Sequence, residues 1–261
     1  MKQHVFDDAF DQRAAVYSVK RIRQYNQAMR SFPETRATER RLILDLLNAQ
    51  QGQDVCDVAA GGGYLADGIL DQLGSECNIY CIENSSHFSD SIPAHYHRIY
   101  CSLSRLALPT SSMDRMACLA GLHHQEDKQQ FFREAFRALR PNGLIAVGDV
   151  LHGSAPAQFL NVEVNRWSDL GHEGIFLEPG ELSLLLSNAG FVDIVEQEHH
   201  YTWDLPSHAD LVWFCKTLFR MEKAELSDVE AALPRYFTIQ LEQGIARMPW
   251  SLIYARGRKP Q

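Results

Sequence analysis

The densest concentration of small residues beside an acid in this chain is Asp57-Val58-Ala59-Ala60-Gly61-Gly62-Gly63. A short apolar run, Asp54 to Val58, leads into it, and a helix-like run from about Tyr64 to Leu73 leaves it. Small side chains at alternate positions let the backbone pass close to a ligand. The following helix then offers N–H groups and the positive end of its dipole. Glu83 stands twenty residues beyond Gly63, at the end of the next strand-like run, Asn78 to Glu83. A carboxylate at that place can accept hydrogen bonds from both hydroxyls of a ribose. Turn and acid together predict an adenosine-type ligand, with NAD and S-adenosylmethionine still to be distinguished.

These residues need a scaffold, and the spacing of apolar residues supplies one. Strands are expected at 54–58, 78–83, 98–101, 113–120 and 144–150, with helices at about 64–73 and 128–139. The second helix carries Phe131, Phe132, Ala135, Phe136 and Leu139 on one face and ends at Arg140-Pro141-Asn142-Gly143. Strands alternating with helices predict a doubly wound, mostly parallel sheet. Before this core, the stretch to Pro33 and the run Leu42, Ile43, Leu46, Leu47 read as amphipathic helices. After it come helices at about 157–170 and 181–190, a strand from Phe191 to about Trp203, and a last strand at 250–256. The 206–249 segment reads as helical and is too long for a plain loop. It is expected to cover the site, or else to form a dimer contact. The predicted fold is therefore α/β with seven strands, N-terminal helices and a helical cover inserted before the last strand. The chain is expected to form one domain over 1–261: N-terminal helices in 1–50, a ligand-binding core in 51–150, and an acceptor-side half in 151–261.

Bulk properties narrow the partners. The 261 residues are 45% hydrophobic and 22% charged, with a formal net charge of −8. An acidic balance disfavours nucleic acid, because phosphates reward clusters of Lys and Arg. The N-terminal segment lacks the apolar stretch of a signal peptide, and no run is long enough to span a membrane, so a cytoplasmic location is expected. The six cysteines form no CxxC pair and mostly lie in apolar runs, which predicts buried, reduced thiols.

The motifs then become specific. Asp57 through Leu65 resembles the first motif of class I S-adenosylmethionine-dependent methyltransferases, and Cys81-Ile82-Glu83-Asn84 their second. Leu108-Pro109 with Met113-Asp114, Leu122-His123-His124, and Ala138 through Gly143 resemble the later signatures, in order. The likeness is to the subgroup of ubiquinone- and menaquinone-biosynthesis enzymes (type 11), and it covers about Asp54 to Val150. It implies S-adenosylmethionine as cofactor, with Asp57, Ala59, Ala60, Gly61 and Gly63 around its methionine part. Glu83 would then hold the ribose, Asn84 would flank the adenine, and Ser102 and Leu103 would lie at the adenine edge. Leu122 and His123 would close the site beside the sulfonium, and Tyr17 would fold over the cofactor. Two departures stand out: Ala59 replaces the first glycine, which the turn accepts if φ stays negative, and Ser102 replaces a frequent acid. These departures keep open a non-catalytic binding or scaffold protein. An NAD oxidoreductase fits less well, because no later glycine completes G-x-G-x-x-G.

Methyl transfer from a sulfonium is an in-line displacement in which alignment and water exclusion do most of the work. A base is required only where the acceptor must lose a proton. Candidates at the C-terminal ends of strands are His124 after the fourth, and Asp149 and His152 after the fifth; His172 follows in the next connection. No metal is expected, because no histidine pair has the i, i+4 spacing with an acidic neighbour that a zinc helix uses. Phe159, Trp167, Phe176, Trp203, Trp213, Phe214 and Phe219 suit a small, largely apolar acceptor. The expected function is methylation of such a molecule at O, C or N.

Overall fold

The computed structural model describes residues 19–169, 171–172 and 174–261. Helices α1 (Val19–Ser31) and α2 (Ala37–Leu47) precede strand β1 (Asp54–Val58). The core continues through α3 (Tyr64–Leu73), β2 (Asn78–Glu83), α4 (Ser86–Ser91), β3 (His97–Tyr100) and β4 (Met113–Leu119). After α5 (Lys128–Ala138) and β5 (Leu139–Asp149) come α6 (Ala155–Phe159), a π-helical turn Leu160–Val164 and α7 (Asn165–Trp167). The chain closes with α8 (Glu181–Ala189), β6 (Val192–Leu205), α9 (His208–Leu218), α10 (Leu226–Ala232), β7 (Gln240–Glu242) and β8 (Ile245–Arg258).

The sheet runs in the order β3-β2-β1-β4-β5-β8-β6, with β7 paired to β8. Strands β1 to β5 are parallel, while β8 runs antiparallel to both β5 and β6. The period of two along each strand divides the interior into two cores. Val55, Ile79, Cys81, Ala117, Ala146 and Tyr254 face the layer that holds α1, α2, α3 and α9. Cys56, Val58, Ile82, Met116, Cys118, Ile145 and Val147 face Phe131 and Phe132 of α5 and the leucines of α8. Burial on both faces explains why these strands read as continuous apolar runs.

Local chemistry sets the helix ends. The Asp127 carboxylate accepts from Gln130 N at 2.9 Å to open α5, and Ser154 Oγ accepts from Ala157 N at 3.2 Å to open α6. The left-handed Gly190, at φ 99°, closes α8.

Two expectations need correction. The sheet has eight strands, because the short β7 forms a hairpin with β8. The last strand begins at Ile245, and the 206–249 segment is helical only at α9 and α10 with a 3₁₀ turn at Leu233–Arg235. Apolar residues of β8 and of a helix look alike over so short a run, so periodicity did not separate them. All six cysteines are unbridged, and five are buried. Among the described residues no helix is long and apolar enough to cross a membrane.

Candidate active site

The turn after β1 is built on left-handed backbone, with Ala59 at φ 58°, Gly61 at φ 56° and Gly63 at φ 92°. The condition set for alanine here, a negative φ, is not met. Ala60 N donates to Ile82 O at 3.0 Å and Gly63 N to Ala60 O at 2.8 Å, and these bonds hold the chain in the tight bend. A side chain in that region costs about 1–2 kcal/mol. The space for the Ala59 methyl comes from Gly121 after β4, where an added Cβ would overlap it.

Glu83, at the end of β2, ties this turn to its own strand. Its Oε2 accepts from Gly61 N at 2.8 Å, and its Oε1 from Asn84 N at 2.9 Å and Ser85 N at 3.2 Å. Asp57 accepts from Ala66 N at 3.1 Å through Oδ2. Burial pushes the Asp57 carboxyl well above the usual range; the Ala66 N–H opposes this and the Glu83 charge adds to it. Asp57, Glu83 and Asn84 line one end of a cavity of about 220 Å³, together with Ala59, Ala60 and Gly61.

Asp149, at the end of β5, organises a second wall. Its Oδ2 accepts from Leu122 N at 2.7 Å and His123 N at 3.1 Å, and its Oδ1 lies 2.7 Å from His123 Nδ1. Burial alone would raise this carboxyl; the His123 ring and the N–H donors outweigh it and hold the group below the ordinary carboxylate range. The clamp shapes the 3₁₀ turn Leu122–His124 and fixes the His123 ring. His172 joins from the loop between α7 and α8, its ring centroid 5.5 Å from His123 and 5.6 Å from His124. His172 N donates to Asn165 Oδ1 at 2.7 Å, and its Nδ1 lies 3.3 Å from Asn161 Oδ1.

The third wall is aromatic. Trp203 of β6 stacks on Trp250 of β8 with centroids 4.1 Å apart and planes 19° apart, and Phe219 lies 5.8 Å from Trp250. Below them Arg36 and Glu39 form a buried ion pair. Arg36 Nη1 donates to Tyr25 OH at 3.1 Å, and Trp203 Nε1 to Glu39 Oε2 at 3.3 Å.

Of the expected site residues, Asp57, Ala59, Ala60, Gly61, Glu83, Asn84, His123, His124 and His172 line this one cavity. Gly63 instead starts α3. Leu103 and Leu122 belong to the α5 core. The Ser102 hydroxyl turns to Ser104 Oγ at 2.8 Å, away from the cavity wall. His152 is exposed, pairs with Glu178 and lies outside the residues that line the cavity. Asp149 is fully buried behind His123, a positioning residue and no base toward the cavity. Tyr17 lies outside the described residues. Sequence reasoning missed Tyr25, Arg36, Glu39, Tyr64 and Trp250 as wall residues. The i, i+3 placement of Arg36 and Glu39 on one helix face was the available signal for that pair.

The donor set fits a cationic nucleoside. Three buried carboxylates, Asp57, Glu83 and the Arg36-paired Glu39, line one cavity, and the Tyr64 hydroxyl, buried in its wall, has no hydrogen-bond partner among the described residues. The model of the methyltransferase domain family matches residues 56–147. Over 203 residues the chain is 21% identical to a demethylmenaquinone methyltransferase of Protochlamydia amoebophila, covering 66% of this chain and 83% of that one. Over 72 residues it is 36% identical to a 27-O-demethylrifamycin SV methyltransferase of Amycolatopsis mediterranei, covering 28% and 26%. The fold matches phosphoethanolamine N-methyltransferase 2 of Haemonchus contortus, solved with S-adenosyl-L-methionine, at a TM-score of 0.66 and 15% identity over 100% of this chain and 62% of that one. It also matches the YcgJ protein of Bacillus subtilis at a TM-score of 0.61 and 16% identity, over 86% and 99%. Residues 56–147 thus match a methyltransferase domain, and the chain is similar in sequence and fold to S-adenosylmethionine-dependent methyltransferases.

Proposed function

We propose that this enzyme methylates a small, largely apolar or aromatic molecule bearing a nucleophilic heteroatom or activated carbon. One observation carries the reading: the acidic turn, the three histidines and the stacked tryptophans face one cavity. When bound, S-adenosylmethionine supplies an electrophilic methyl group on a sulfonium. Glu83 and the Ala59–Gly63 turn orient the nucleoside, while the Asp57 carboxyl braces the turn through Ala66 N. Trp203, Trp250 and Phe219 offer flat apolar surfaces, which suit a ring system better than a peptide or a nucleic acid. His123, His124 and His172 provide the polar wall toward which the acceptor atom is turned. Two relatives carry the names demethylmenaquinone methyltransferase and 27-O-demethylrifamycin SV methyltransferase, and a small organic acceptor is in keeping with them. The same reading treats 1–261 as one unit, with the donor held by 51–150 and the acceptor side built by 151–261.

Calorimetric titration with S-adenosylmethionine and S-adenosylhomocysteine tests the donor half. Micromolar binding that falls about tenfold or more in Glu83→Gln is expected, since the amide cannot accept all three N–H groups. Heat for neither ligand in a folded protein would overturn it. Mass spectrometry of quinols and phenols incubated with the enzyme and donor tests the acceptor half; label appearing only in peptide or nucleic acid would refute that class.

A further inference from the structure

The imidazoles of His123, His124 and His172 each place a ring nitrogen within 4.8 Å of the others. All three residues line the cavity. The linear spacing of these histidines shows nothing of this, because 48 residues separate His124 from His172.

We propose that His123, His124 and His172 bind one divalent transition-metal ion of the zinc class, with the open coordination position facing the acceptor side of the cavity. Two independent features carry the proposal. The first is convergence. The three rings lie at centroid separations of 4.1, 5.5 and 5.6 Å, each bringing a ring nitrogen toward one point. A metal ion takes all three lone pairs. Tetrahedral ligation brings such nitrogens to about 3.3 Å apart, so metal binding would close the present separations of up to 4.8 Å.

The second feature is the outer shell. Metal-binding histidines donate their remaining N–H to a carboxylate or carbonyl, which fixes tautomer and ring direction. Here the buried Asp149 lies 2.7 Å from His123 Nδ1, leaving Nε2 as the ligating atom. Asn161 Oδ1 lies 3.3 Å from His172 Nδ1 in the same relation. Three protein ligands with an open fourth position are the arrangement of a catalytic rather than a structural site. Imidazole sets suit zinc, cobalt and nickel, whereas magnesium and calcium require oxygen ligands. The role at the acceptor atom rests on the proposed function; the binding of metal does not.

The test uses the full chain, freed of any affinity tag and dialysed against chelator. Titration with zinc chloride is expected to show one equivalent bound with a dissociation constant below about 1 μM. Cobalt(II) is expected to give the visible absorption of a tetrahedral nitrogen site. His124→Ala and His172→Ala, on exposed or half-buried positions, are each expected to lose affinity about 100-fold. Asp149→Asn is expected to lose about 10–100-fold with its circular dichroism spectrum intact. His152→Ala serves as a histidine control and keeps full affinity. No saturable zinc or cobalt binding, or binding that survives both His124→Ala and His172→Ala, overturns the site. S-adenosylhomocysteine heat is measured on the same protein. If that heat persists without zinc binding, only the metal site fails; if zinc binds without that heat, only the donor reading fails.

Discussion

The methyl group of Ala59 occupies the space that Gly121 leaves by having no side chain. One residue ends β1 and the other follows β4, so the two adjacent turns that frame the cavity are shaped to each other. Gly121→Ala is therefore expected to destabilise the protein by about 1–3 kcal/mol through overpacking. Ala59→Gly relieves the left-handed strain at φ 58° and creates the missing room. The double variant is expected to recover much of the Gly121→Ala loss, a non-additivity that urea denaturation of all four proteins measures. Strict additivity would mean that the two turns do not share this space.

Arg36 and Glu39 are both buried, at 7% and 1% exposure, so neither charge is affordable without the other. Glu39→Gln is expected to cost about 3–5 kcal/mol, because it strands the guanidinium. Replacing the pair together by Arg36→Met and Glu39→Leu is expected to be nearly neutral for stability. Chemical denaturation checks both, and calorimetry with the donor shows whether the pair also serves binding.

Arg140 joins the starts of β1 and β4, with Nη2 2.7 Å from Asp54 Oδ2 and Nη1 2.6 Å from Asp114 Oδ2. Burial would raise the Asp54 carboxyl, but Asn78 and Arg140 outweigh it and lower the group. A lowered folded-state value means stability that is present above the unfolded carboxylate range and lost as the pH falls through the folded value. That window lies below about pH 4. Arg140→Met is expected to cost about 1 kcal/mol or less at neutral pH, since the groups are partly solvated, and to flatten the acid limb of a stability-against-pH curve. An unchanged acid limb would remove Arg140 from that linkage.

Burial raises the thiols of Cys56, Cys81, Cys118 and Cys215, so little thiolate is available at neutral pH. Among the six, Cys101 is half-buried and reaches solvent. Thiol titration of the native protein is expected to modify Cys101 first, and slowly, with the remainder reacting on unfolding. Fast reaction of several thiols in the folded state would contradict this packing.

Local features of the chain were enough to place the acidic turn and Glu83 side by side. The apolar run ending at Asp57, the small residues of the turn, and Glu83 at the end of the next strand are adjacent in sequence and in space. Strand-helix alternation over 54–150 sufficed to expect the parallel sheet, because each unit is stabilised by its own neighbours. The opposite side of the cavity depended on the tertiary structure. His172 meets His123 only because the loop between α7 and α8 folds over the end of β4, and His152, equally suggestive as a residue, is turned outward to Glu178. Asp149 reads like a base until the packing of β5 beside β4 seals it behind His123. Trp250 becomes a partner of Trp203 through the β6–β8 register, which sets residues from distant segments across one face. A sequence carries periodicity and turn chemistry, which act over a few residues. Convergence of groups tens of residues apart is decided when the two cores close on the sheet.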